Sequence, residues 1–257
     1  MYVPKREQPQ DPDERLGRWI LGGVVLIAIA VGVWLWQRNK DRDEAAPVAE
    51  QPVATAEPAI KNPIETPAGS ESLSATDEAA KLVGTDRFQA LFVPEDFVRK
   101  VVATVDNLAR PKVASRMNPA KPPAGEFAAV GGNEEIVLGA ANYERYAAWV
   151  EMVDALDADA AVELYRRLYP QFQAEYEKLG NPEGYFNDRV IEVLDHLISA
   201  PVAPDTIVLK RPNVYYEFAD PALEAESAGR KLLLRMGPGN ASRVKMKLRD
   251  IRDRIAS

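Results

Sequence analysis

Residues 159–180 read DAAVELYRRLYPQFQAEYEKLG, and this stretch decides the fold class. Large apolar side chains recur in it at every fourth position, a spacing that places them on one face of an α-helix. Asp159 is a suitable N-terminal cap and Gly180 a suitable C-terminal stop, so the pattern predicts one helix with a buried face. The residues of that face are Leu164, Leu168, Phe172 and Tyr176.

Pro170 lies inside this predicted helix. Proline has no backbone N–H, and its ring crowds the carbonyl group four residues earlier. We therefore expect the helix to kink or break near Tyr169.

Shorter stretches with the same spacing surround this helix. They predict helices from Pro94 to just before Pro111, from an Asn142 cap to Leu156, over Phe186–Ile198, over residues 221–236, and from an Asn240 cap to Ile255. Residues 207–209 and 214–218 are β-branched or aromatic and predict extended segments or a small hairpin, and residues 127–130 are expected to be briefly extended. The predicted fold is therefore mainly α, with residues 82–257 forming one compact helical domain that includes a small β-hairpin.

An apolar segment lies near the N-terminus. Residues 19–36 read WILGGVVLIAIAVGVWLW and contain no charged or strongly polar side chain. As a helix this segment would be about 27 Å long, close to the ~30 Å hydrocarbon core of a bilayer. Tryptophans occupy both ends, and arginines flank them, as is typical of membrane-spanning helices. We therefore expect one transmembrane helix that contacts the lipid bilayer through Trp19 to Trp36.

Two other interpretations of this segment fit less well. A cleaved signal peptide has an apolar core of about 7 to 15 residues followed by small residues. Here the polar run QRNKDR follows directly at residues 37–42. A buried helix of a soluble domain would show a polar stripe, and residues 19–36 have none on any face.

The orientation in the membrane is predicted from the basic residues on either side of the segment. The positive-inside rule favours a cytoplasmic N-terminal tail, residues 1–18, by one residue. The basic residues counted are Lys5, Arg6, Arg15 and Arg18 before the segment and Arg38, Lys40 and Arg42 after it. We expect the domain on the periplasmic side of a bacterial inner membrane.

Residues 37–81 are predicted to form a disordered linker rich in Pro, Ala and Glu. Residues 45–69 contain almost no large apolar side chains. Such a segment cannot bury enough apolar surface to fold, and it behaves as a semi-extended spacer. The linker would let the domain stand away from the bilayer and reach a partner. Its prolines are Pro47, Pro52, Pro58, Pro63 and Pro67.

Charge is distributed unevenly along the chain, whose formal net charge is −7. Residues 82–228 contain 14 Lys and Arg against 24 Asp and Glu, whereas residues 229–257 contain 9 against 2. The basic end could bind an anionic partner, but a basic helix docked on an acidic body would show the same asymmetry. We favour the second interpretation.

The chain contains no cysteine. This excludes disulfides, thiol nucleophiles, thiolate zinc sites and iron–sulfur clusters. No cofactor is expected.

Four stretches of the predicted domain resemble the uncharacterised bacterial membrane-protein family catalogued as domain of unknown function 3014. The resemblance implies a proteobacterial origin, an N-terminal anchor and a helical domain, and it implies no activity. The stretches are ATVDNLAR at 103–110, NYERYAAWVEMVDALDADAAVELYRRLYPQFQAEYEKLG at 142–180, FNDRVIEVLDHL at 186–197 and YEFADPALEAESAGRKLLLRMGPGNASRVKMKLRDIR at 216–252.

A weak acid/base candidate lies on the helix predicted at Phe186–Ile198. His196 is the only histidine, and Asp188 and Glu192 precede it at intervals of four residues, so the three share one helix face. A carboxylate-rich metal or acid–base site is one interpretation. A solvated helix with ordinary ion pairs is the interpretation we favour.

The basic C-terminal helix is a candidate interaction surface. Nucleic acid is an unlikely partner, because no recognition motif or exposed aromatic pattern accompanies the charge. An anionic lipid or an acidic protein surface would suit it better. The residues of this surface are Arg235, Arg243, Lys245, Lys247 and Arg249.

Together these observations predict a membrane-anchored, non-enzymatic interaction or scaffold protein of the bacterial cell envelope, whose partner is an unknown protein or envelope polymer. Two alternatives stay open. One is an unrecognised carboxylate-based hydrolase, and the other is a cytosolic-facing domain that binds anionic surfaces through its basic helix.

Overall fold

Helices make up most of the computed structural model, which describes residues 60–67, 73–112, 115–132, 135–212 and 215–256. The helices are α1 (Ala75–Val83), α2 (Thr85–Leu91), α3 (Phe97–Leu108), α4 (Ala141–Glu144), α5 (Ala147–Ala155), α6 (Ala158–Lys178), α7 (Phe186–Ile198), α8 (Pro221–Glu224), α9 (Ala228–Arg235) and α10 (Pro238–Ile255). The strands are β1 (Ala129–Gly131), β2 (Ile136–Leu138), β3 (Val208–Lys210) and β4 (Glu217–Phe218). A mainly helical domain with a small antiparallel sheet is therefore confirmed.

Helix α6 is the long central helix predicted from its four-residue spacing. All four residues of its predicted apolar face are buried. The helix begins two residues earlier than predicted, because Asp157 and not Asp159 is the cap, its Oδ1 accepting a hydrogen bond of 2.9 Å from the Ala160 N–H. Asp159 instead pairs with Arg254, at 2.6 Å.

The helix also continues through Pro170, so the predicted break does not occur. A proline inside a helix costs about 3 kcal/mol. Tyr169 and Phe172 are both buried on either side of it, and burying one large apolar side chain contributes about 1.5–3 kcal/mol. Tertiary burial therefore offsets the local cost.

The core forms where other helices cover α6. Helix α3 packs on α6 and α7, and α10 packs along α5, α6 and α7. Val102 of α3 and Phe186 of α7 meet the α6 face in one buried cluster. Ile255, near the end of α10, joins Val162 in another cluster, so the C-terminal helix is part of the core.

The sheet is larger than the predicted hairpin. Strands β3 and β4 pair antiparallel as expected, with Leu209 opposite Phe218, but β1 and β2 extend the sheet in the order β1-β2-β3-β4. Its inner face is buried against Leu234 of α9. Residues 127–130 are predicted to be briefly extended. The structure confirms an extended segment here, and the strand β1 covers Ala129–Gly131.

Two predicted helix starts differ from the structure. Helix α3 begins at Phe97 and not at Pro94, because residues 95 and 96 form a turn in which Asp96 is left-handed, with φ of 52°. Asn142 does not cap a long helix. It is fully buried inside α4, and a separate helix, α5, follows.

The predicted helix at 221–236 is two helices, since Ser227 starts α9 as a new cap whose hydroxyl accepts from the Arg230 N–H. Asn240 is not the cap of the last helix either, because α10 begins at Pro238 after Gly237. The Asn240 side chain instead donates to the carbonyl groups of Tyr143 and Met236, both at 3.0 Å.

The folded part of the chain begins before residue 82. Helix α1 starts at Ala75, so the predicted linker boundary falls inside a helix, and residues 60–67 also contact the domain. Among the described residues, no helix is long and apolar enough to cross a bilayer. Residues 1–18, the predicted span at 19–36 and most of the predicted linker lie outside the described residues.

A substitution at Gly229 tests how closely α9 packs against α3 and α7. It lies in α9, and a Cβ at this position would come within 2.5 Å of Leu197 Cδ2 and 3.0 Å of the Leu108 carbonyl oxygen. We expect Gly229→Ala to lower the free energy of unfolding by about 1–3 kcal/mol, as overpacking does. Urea unfolding of the full chain in detergent, followed by circular dichroism, measures this change.

Gly239→Ala is the matched control. Gly239 lies in α10, and nothing lies within 4 Å of a Cβ placed there. Alanine should leave the stability unchanged or raise it by up to about 1 kcal/mol. Equal effects of the two substitutions would contradict the tight contact between α9 and its neighbours.

Candidate functional site

A segment from the predicted linker, bent at Lys61 and Asn62, lies across the start of α7. We call residues 60–64 the strap. The Asp188 carboxylate accepts three hydrogen bonds from it: from the Lys61 N–H at 3.0 Å, the Asn62 N–H at 2.8 Å and the Asn62 side-chain amide at 2.8 Å. Asp188 therefore holds a distant part of the chain in place.

Two neighbours of Asp188 complete the contact. Asn187 is fully buried, and its amide donates to the Asn62 carbonyl oxygen at 3.0 Å. The Tyr185 hydroxyl accepts from the Ile64 N–H at 2.8 Å. We call Tyr185, Asn187 and Asp188 the cradle.

Buried tyrosines support the cradle from α6. The Tyr165 hydroxyl donates to Asn187 Oδ1 at 3.0 Å, and the Tyr169 hydroxyl accepts from the Asn187 N–H at 3.3 Å. Burial raises the pKa of both Tyr165 and Tyr169. Both hydroxyls therefore stay protonated, and their hydrogen bonds fix the orientation of Asn187.

The strap is bound at little net gain in free energy. A neutral hydrogen bond contributes about 0.5–1.5 kcal/mol and one to a charged group about 1.5–3 kcal/mol. Two of the first kind and three of the second are present. Ordering the backbone costs about 1–2 kcal/mol per residue. Half-buried Ile64, which packs on the main core cluster, adds a small apolar contribution. The attractive and opposing contributions are of similar size.

The three acid/base candidates contact three different partners. Asp188 binds the strap, whereas Glu192 is 66% exposed and pairs with Arg189 at 2.8 Å. His196 Nε2 lies 2.8 Å from the Ser227 hydroxyl. Burial and then the charge of Arg230 lower the pKa of His196, so its ring is neutral at pH 7. Within the described ranges, no group of three or more metal-ligating side chains of the His, Cys, Asp and Glu types occurs.

A buried ion pair that the sequence analysis missed joins α3 to α7. Asp106 accepts from Arg110 Nη2 at 2.7 Å and from Arg189 Nε at 3.0 Å, and Arg189 also donates to the Asp106 carbonyl oxygen at 2.6 Å. Burial alone would lower the pKa of Arg189, but hydrogen bonding to Glu192 and the charges of Glu192 and Asp106 raise it. Arg189 therefore stays charged and links the two helices.

The basic residues of the candidate surface mostly contact the domain itself. Arg243 pairs with Asp154, and Lys245 donates to the Ala200 carbonyl oxygen at 2.7 Å. Lys247 donates to the Leu156 carbonyl oxygen. Three of the five basic residues thus contact other parts of the domain, one of them through an acidic side chain.

The other two residues of this surface lie apart from those contacts. Arg235 stacks over the Phe218 ring, with its guanidinium carbon 5.2 Å from the ring centroid. Arg249 is exposed on α10. Arg243, which pairs with Asp154, is exposed as well.

An open groove lies elsewhere, between the start of α1, the start of α3 and the end of α6. It has a volume of about 670 Å³. A second depression of about 470 Å³ adjoins it, and Arg99 and Leu179 line both. The lining mixes acidic and basic groups, and none of the acid/base candidates belongs to it.

Removing the Asp106 carboxylate should destabilise the domain strongly. Asp106→Ala would leave Arg189, only 15% exposed, without its buried partner. We expect a loss of about 3 kcal/mol in the free energy of unfolding, as is usual when one partner of a buried pair is removed. Urea unfolding of the full chain measures it.

Glu192→Ala provides the comparison, because it removes the exposed partner of the same arginine. That change should cost less than about 1 kcal/mol. If both substitutions had equally small effects, the link between α3 and α7 would not depend on Asp106.

Comparison with known proteins gives a match to one family. No curated protein and no solved structure matches this chain. Residues 97–252, more than half of the chain, match the family described as Protein of unknown function (DUF3014). This match runs from the first residue of α3 to near the end of α10 and includes the cradle. The chain therefore belongs to the DUF3014 family.

Proposed function

We propose that this chain is a membrane-anchored, non-enzymatic interaction or scaffold protein of the bacterial cell envelope. Residues 19–36 cross the inner membrane once, residues 1–18 stay in the cytoplasm, and the helical domain lies in the periplasm. The length of the apolar segment, its lack of charge and its terminal tryptophans support the anchor.

The contact between strap and cradle carries the proposal of an interaction role. Asn187, a fully buried amide, donates to the backbone of the strap, more than 100 residues away in the sequence. The domain thus has a formed surface that binds a chain segment mainly through backbone atoms. Such surfaces are typical of proteins that recognise peptides.

The contacts of the acid/base candidates favour a non-enzymatic role. Asp188 is occupied by the strap and His196 by Ser227, while Glu192 points to solvent beside Arg189. General acid–base catalysis needs such groups within hydrogen-bond reach of one substrate. Their separate partners support a structural use for all three.

The strap also determines how far the domain can reach from an anchor. Residues 37–59 separate the predicted span from the strap. A Pro-rich spacer extends by about 3.1 Å per residue, so this segment would reach roughly 70 Å at most. Release of the strap would lengthen the tether.

Topology reporters test the anchor and its orientation. A reporter active only in the periplasm and one active only in the cytosol would each be fused after Ser257. We expect activity from the periplasmic reporter alone, because the basic residues favour a cytoplasmic N-terminus. Deleting residues 19–36 should reverse the result. Cytosolic activity of the undeleted chain would contradict the orientation and favour an anionic surface as the partner of α10.

Turnover assays test the non-enzymatic part of the proposal. We expect the purified full chain to leave peptidoglycan, peptide and phosphoester substrates unchanged, and Glu192→Gln and His196→Ala to have no effect. The readout is product formation resolved by chromatography. Hydrolysis that is lost in either variant would overturn the proposal and establish the carboxylate-based hydrolase.

A further inference from the structure

The cradle and the adjoining core contact a short sequence pattern in the strap. Asn62 is contacted through its backbone N–H, its carbonyl oxygen and its side-chain amide. Ile64, two residues later, is half-buried and packs on the core. The intervening Pro63 and the preceding Lys61 are exposed. The chain bends at Lys61 and Asn62, so their successive backbone N–H groups both donate to Asp188. In peptide recognition, backbone hydrogen bonds supply affinity and side-chain contacts supply specificity.

The receptor side is formed from the folded domain. Tyr185, Asn187 and Asp188 lie at the start of α7, and Asn187 is oriented by Tyr165 and Tyr169 of α6. None of these contacts to α6 involves the strap. The cradle would therefore keep its shape when the strap leaves.

Release of the strap would leave the cradle without its hydrogen-bond partners. The Asn187 amide donates to the strap carbonyl group and is fully buried while the strap covers it, so water would have to take the place of that acceptor. The Asp188 carboxylate would also lose all three of its strap hydrogen bonds. A peptide with the same pattern would satisfy these groups again.

We propose that the cradle is a binding site for peptide segments of the type Asn-Pro-aliphatic that bend at the Asn, and that the strap is its displaceable ligand within the chain. The proposal rests on the interaction role argued above and names its ligand class. The five strap residues are ordered for a small net gain, so a second peptide can compete with them. Binding of the second peptide would release the strap from the cradle and so lengthen the tether.

The test uses the full chain in detergent with the strap disabled by Asn62→Ala and Ile64→Ser. The probe is a fluorescent synthetic peptide with the sequence of residues 58–67, PAIKNPIETP. Fluorescence anisotropy should show saturable binding to this variant. The unaltered chain, whose cradle is occupied, should bind the probe at least about tenfold more weakly.

Matched peptides and a receptor variant define the specificity. A probe with Asn62→Ala should bind about tenfold more weakly, because it loses the hydrogen bond from its side chain to a charged carboxylate. A probe with Lys61→Ala should bind normally, since that side chain is exposed and only its backbone N–H is used. Adding Asp188→Ala to the strap-disabled chain should abolish binding. If the probe fails to bind a strap-disabled chain that is folded by circular dichroism, the proposal is overturned.

A second experiment covers the case in which the strap-disabled chain does not fold. A protease site inserted between Pro67 and Leu73 allows the strap to be cut from the otherwise unaltered domain. Excess peptide should then release the N-terminal fragment from the domain, as seen by size-exclusion chromatography. If the cut fragment cannot be exchanged, the strap is a permanent part of the fold and the proposal is wrong. Neither result depends on which side of the membrane the domain occupies.

Discussion

Burial of one face of α6 is the constraint on which the rest of this structure depends. Leu164, Leu168, Phe172 and Tyr176 are buried along a helix of 21 residues, and α3 and α10 pack against it. Burial around Pro170 also offsets the cost of a proline inside the helix, which continues past this position. The tyrosines of this helix also position Asn187 on α7.

Buried polar groups then decide which surfaces meet. Asp106 and Arg189 join α3 to α7, and Asn187 joins α7 to the strap. Groups of this kind are costly when unpaired, so they favour one arrangement over others that bury as much apolar area. Asn187 belongs to both kinds of contact, because it is held by the tyrosines of α6 and donates to the strap.

The sequence predicts that a helix exists more accurately than it predicts where the helix begins or ends. Three asparagines show the physical reason. Asn142 and Asn240 follow the pattern of helix caps, yet Asn142 donates to the Arg235 carbonyl oxygen at 2.9 Å and Asn240 to that of Tyr143. Asn62 looked like part of a featureless linker. An amide side chain can bond to its own backbone or to a distant one, and local pattern does not distinguish the two.

By itself, the sequence determined the mainly helical class, the apolar face of α6 and the β3–β4 hairpin, because spacing and local propensity are properties of neighbouring residues. Only the tertiary structure decided the four-stranded sheet, the Asp106–Arg189 pair and the docking of the strap. Each of these joins residues far apart in the chain, mostly through hydrogen bonds. Such contacts leave no periodic trace in the sequence, so they appear only when the fold brings their partners together.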